Sequence, residues 1–112
     1  MKKHLLLSIV LGAITIALKA QNSQAENLAQ KIAQKMKDSL SLSDVQKSQI
    51  YAINMQLHHQ KMEIRSQYTE HDVLRHYLQM VENKRDSLYR SVLPEAKYSV
   101  YKEKKRNLVS NN

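Results

Sequence analysis

The chain has 112 residues, with one Gly, one Pro, no Cys, no Trp, no Phe and a formal net charge of +8. Its length allows one domain, and the missing Cys excludes a disulfide framework, a thiolate nucleophile and Cys-ligated zinc or iron–sulfur centres. A lone Gly12 leaves no phosphate-cradling loop, and so few Gly and Pro lack the turns a β-sandwich needs, which points to an all-α chain.

The first element is an address. Met1-Lys2-Lys3-His4 is basic, and the apolar run from Leu5 to Leu18 follows it. That run is short for a roughly 30 Å hydrocarbon core but suits a signal-peptide h-region. Cleavage is expected after Ala20, with Ala25 as the alternative because Ser23 then stands at −3. Residues 1–20 are thus read as a cleaved signal peptide and 21–112 as one helical domain in the periplasm. Loss of Lys2, Lys3 and Lys19 takes Lys+Arg from 18 to 15 against 10 acids, leaving +5.

Four helices follow. Leu28, Ile32, Met36 and Leu40 repeat at i, i+4, with Ala29 and Ala33 beside them. Ser39 to Leu42 breaks the pattern, and Ser43-Asp44-Val45-Gln46 reads as a capping box with Leu42 as its staple. The second stripe is Val45, Ile50, Ile53, Leu57 and Ile64, running to about Thr69. Thr69 with Asp72 is a weaker cap, so one long bent helix over 43–92 is the alternative. Leu74, Leu78, Val81, Leu88 and Val92 form a heptad-like seam whose gap is filled by Arg85. Pro94 stops that helix and suits position N1 of the next, with Glu95 near the positive end of its dipole. The last helix carries Tyr98, Tyr101 and Leu108.

The core is thin. Leu, Ile and Val supply 19 of the 92 residues after position 20, close to the composition at which chains stay disordered. Two solutions fit: helices that dimerise and share apolar faces, or an open shallow layer that keeps some of them exposed.

Leu42-Ser43-Asp44-Val45-Gln46, opening a Gln-rich helix, resembles the Leu-Thr-x-x-Gln motif of the Spy/CpxP family of periplasmic stress proteins. Val92-Leu93-Pro94-Glu95-Ala96-Lys97-Tyr98 is similar to a second, degraded copy, with Leu93 and Ala96 at its Thr and Gln positions. The matching residues are Leu42, Ser43, Gln46, Pro94 and Glu95, whose role is structural capping. The resemblance implies a thin all-α dimeric cradle that works without ATP. Members of the family bind unfolded proteins, a sensor kinase or metals.

Nothing in the residues suggests an enzyme or a cofactor, because acids and hydroxyls are scattered and a helical layer offers no deep pocket. His71, Asp72 and His76 are the one grouping in which metal spacing is conceivable, yet exposed histidines on polar faces are the expected state, so no metal site is assigned. Export argues against nucleic acid as the target of the basic charge. That charge would instead draw in acidic segments of unfolded chains. Met55, Lys61, Met62, Arg65, Arg75, Lys84 and Arg85 are therefore the candidate client-binding residues, with Tyr51, Tyr68 and Tyr77 as adaptable neighbours. The expected activity is weak, ATP-independent binding of unfolded periplasmic proteins by a homodimer. The alternative is a signalling adaptor bound to a membrane sensor, with or without a metal ion.

Overall fold

A computed structural model describes residues 23–109. The expected signal peptide lies outside the described residues; Ala25, the alternative cleavage position, lies inside the first helix and is buried. Among the described residues the chain forms four helices and no strand. We label them α1 (23–40), α2 (Asp44–Gln67), α3 (His71–Val92) and α4 (Glu95–Leu108). None is long and apolar enough to cross a membrane.

The turn out of α1 uses Ser41 at φ 55°, the left-handed region that favours Gly. The Leu42 amide donates to the Lys37 carbonyl at 3.1 Å, closing the helix end. Ser43 then caps α2. Its hydroxyl accepts from the Gln46 amide at 3.1 Å, and the Gln46 side chain accepts from the Ser43 amide at 3.0 Å. The expected capping box is formed. Leu42 does not act as its staple, because the facing N4 position is Lys47. Leu42 instead drops into the core, and Val45 stays 68% exposed.

The α2–α3 boundary is a real break. Tyr68 is extended at φ −123°, ψ 132°. Glu70, not Thr69, occupies the N-cap of α3, with no side-chain bond to its amides. What holds this turn is stacking: the rings of Tyr68 and Tyr77 lie 4.5 Å apart at 13°. The two helices then run antiparallel, as contacts from Lys61 to Glu82 and from Asn54 to Tyr89 require. Leu93 is extended before Pro94, as the residue preceding a proline prefers to be. Pro94 falls one position earlier than its sequence suggests, at the N-cap of α4 rather than N1.

All four helices share one core. Ile32, Ala33, Met36 and Leu40 of α1 meet Ile50, Ile53 and Leu57 of α2, Val81 and Tyr89 of α3, and Tyr101 and Leu108 of α4. Tyr89 and Tyr101 are fully buried and pack edge to face, 4.9 Å apart. Such a pair contributes about 0.5–1.5 kcal/mol beyond its burial. α4 is tied down through Asp86, which accepts from the Tyr101 hydroxyl at 2.8 Å, Lys102 at 3.0 Å and Lys105 at 2.9 Å. Arg90, one turn along α3 from Asp86, does not pair with it and lies over the Tyr98 ring instead. Lys97 also reaches back to the Ser41 carbonyl at 2.6 Å.

Candidate functional site

The core does not extend along the whole hairpin. Leu57 on α2 and Val81 on α3 are the last buried apolar residues. Between them, from His58 to Met80, no residue is buried. This distal half still carries Met62, Ile64, Val73, Leu74, Leu78 and Met80, besides Tyr68 and Tyr77. All are only partly covered, and Met80 is 51% exposed.

A polar cluster lies beneath this projection. Asn54, 5% exposed, donates from Nδ2 to the Ala29 carbonyl at 3.2 Å. Its Oδ1 accepts from Arg85 Nη1 at 3.0 Å and from the Tyr89 hydroxyl. Arg85 also donates from Nη1 to the Tyr89 oxygen at 2.9 Å and from Nε to Glu82 at 3.0 Å. Glu82 binds Lys61 as well. Burial raises the Glu82 pKa, but Arg85 and Lys61 outweigh it and hold the carboxyl below its ordinary value. Burial likewise opposes the Arg85 charge, and Tyr89 and Glu82 more than restore it.

This placement separates the candidate residues. Arg85, read from sequence as a surface cation, is 7% exposed and committed to the cluster, so it leaves the client-binding set. Lys61, Arg65 and Arg75 come together, lining a groove of about 300 Å³ with Leu74 and Leu78. Met62 and Arg65 line a second groove of about 690 Å³ between α1 and α2, with Ala25, Leu28, Lys31 and His58. Arg65 borders both. Lys84 lies in a separate groove with Ile64, Tyr77 and Met80. Met55 is half-buried and borders none of these grooves. Tyr51 is likewise half-buried against the core.

His58 sits in the wall of the larger groove, and its Nε2 is buried without a hydrogen-bond partner. Burial lowers its pKa first, and His59, Arg65 and Lys61 lower it further. Among the described residues, no three His, Cys, Asp or Glu side chains gather closely enough to hold a metal ion, so His71, Asp72 and His76 do not form such a group. The sequence reading passed over Asn54 and Tyr89. The signal for Asn54 was a polar residue within the apolar register of α2, beside Ile50, Ile53 and Leu57.

No protein-family model, curated protein or solved structure matches the chain.

Proposed function

We propose that this protein is an exported, ATP-independent holding protein of the Spy/CpxP kind, which retains unfolded chains weakly and limits their aggregation. The observation that carries this reading is the distal hairpin. Apart from Ile64, which packs against the core, its apolar side chains stand beyond the core cluster, and the cations Lys61, Arg65 and Arg75 line a groove with Leu74 and Leu78. A field of positive charge speeds encounter with acidic stretches of an unfolded chain, and shallow apolar contact then holds it. Shallow contact also favours release, which a protein without an energy source requires. Met62 and Met80 suit many partners because their side chains adapt to varied shapes. The Ser43–Gln46 box supports the kinship at the first motif. We further propose the periplasm as its compartment and a homodimer as its working form.

Light scattering of a chemically denatured client tests the reading. The purified protein at stoichiometric amounts lowers the scattering, and raised salt slows capture. Unchanged aggregation rejects it.

A further inference from the structure

Arg65 stands apart from the other cations of the distal hairpin by its position: Arg75 is likewise exposed and without a carboxylate partner among the described residues, but of the two grooves it borders only the smaller. Lys61 is paired with Glu82, and Arg85 is buried with the same carboxylate. Arg65 is exposed, and among the described residues no carboxylate pairs with it. It borders both grooves, one floored by Leu28 and Met62 and the other by Leu74 and Leu78. The larger groove has no acidic residue in its lining. The only acid in the smaller one is Glu82, already neutralised by Lys61 and Arg85.

We infer that Arg65 reads a carboxylate, so that the surface selects extended polypeptide segments in which an Asp or Glu is flanked on both sides by apolar residues. The flanking side chains enter the two grooves, and the carboxylate between them meets the guanidinium. Arginine suits this task because its planar fork matches a carboxylate with two parallel hydrogen bonds. This inference rests on the holding function proposed above and specifies its preferred segment.

Three fluorescent peptides test it by anisotropy. They share one apolar sequence and differ at a single central residue: Asp, Asn or Lys. The Asp peptide binds about two- to fivefold more tightly than its Asn twin, the range of an exposed ion pair, and the Lys twin binds most weakly. Arg65→Gln removes the difference between Asp and Asn. Lys84→Gln, an equal loss of charge in the separate groove, preserves it. Equal binding of all three peptides overturns the inference while leaving the holding function standing. Equal loss of discrimination in both variants also overturns it, because net charge would then suffice. Failure of every peptide to bind, with client aggregation unchanged, overturns both.

Discussion

Arg85 of α3 reaches across the hairpin to Asn54 of α2, its Nη1 3.0 Å from the amide oxygen. The contact is buried, and it lies near the level where the shared core gives way to the projecting half. Asn54 also holds the Ala29 carbonyl, so one side chain links α1, α2 and α3. A buried polar cluster of this kind adds modest net stability when complete and costs much when broken.

Arg85→Ala therefore lowers unfolding stability by about 2–4 kcal/mol, through the lost bonds and the space left behind. Asn54→Ala acts in the same direction. The double variant costs less than the two singles combined, because both remove one shared contact. Urea denaturation of the four proteins checks this; strict additivity would show that the contact carries no coupling energy.

The turn after α1 makes an opposite prediction. Ser41 holds a left-handed conformation without being Gly. Ser41→Gly relieves this and stabilises the fold by about 0.5–1 kcal/mol, allowing for the greater freedom of Gly when unfolded. Ser43→Ala removes the hydroxyl that caps α2 and costs about 1 kcal/mol. Thermal melting monitored by circular dichroism reads both signs.

Much of this architecture was legible in the sequence, for physical reasons that differ by element. The α1 stripe of Ile32, Met36 and Leu40 is buried as its spacing requires. The Ser43–Gln46 box was readable because capping depends on neighbours three residues apart. Val45 misled, because a first-turn apolar residue belongs to a stripe only if the helix rotates it inward. Arg85 misled more. Its place in the α3 seam was visible, but its burial depends on Asn54, 31 residues away. Asp86 likewise chose Lys102 and Lys105 on another helix over Arg90 on its own. Long-range choices of this kind leave no periodic mark. The candidate surface was legible in its residue types, whereas its division into separate grooves followed from how α1 and α3 flank α2.

Stability falls on acidification in two stages. The folded His58 pKa lies below its ordinary 6.5, chiefly through burial, so the unfolded chain binds more protons there. Its contribution is complete above pH 6.5 and is lost as pH falls from that value through the folded one. Glu82 and Asp86 follow, for both are held below their ordinary values of 4.5 and 3.8. Burial opposes the charge in each. Arg85 and Lys61 prevail at Glu82, and Lys105, Tyr101 and Lys102 prevail at Asp86. Their contribution is present above the ordinary values and disappears as pH falls through the folded ones. Melting temperatures between pH 7 and 3 follow both stages. His58→Gln flattens the first and leaves the second.

Asp86→Ala releases α4 from three partners on one carboxylate. Hydrogen exchange then accelerates in Glu95–Leu108 before it does in α2, since Tyr101 keeps its apolar packing against Tyr89 but loses its hydroxyl acceptor. Uniform acceleration across all helices would mean that α4 does not open separately.

Under the proposed function, the hairpin beyond Leu57 and Val81 serves clients rather than the fold. Suppression of client aggregation by the wild type, compared with a Leu74→Ser, Leu78→Ser variant, tests it most directly. The variant is expected to lose most of the suppression while its melting temperature stays close to that of the wild type, because neither leucine belongs to the buried core. A variant that melts normally and protects the client as well as the wild type would contradict it.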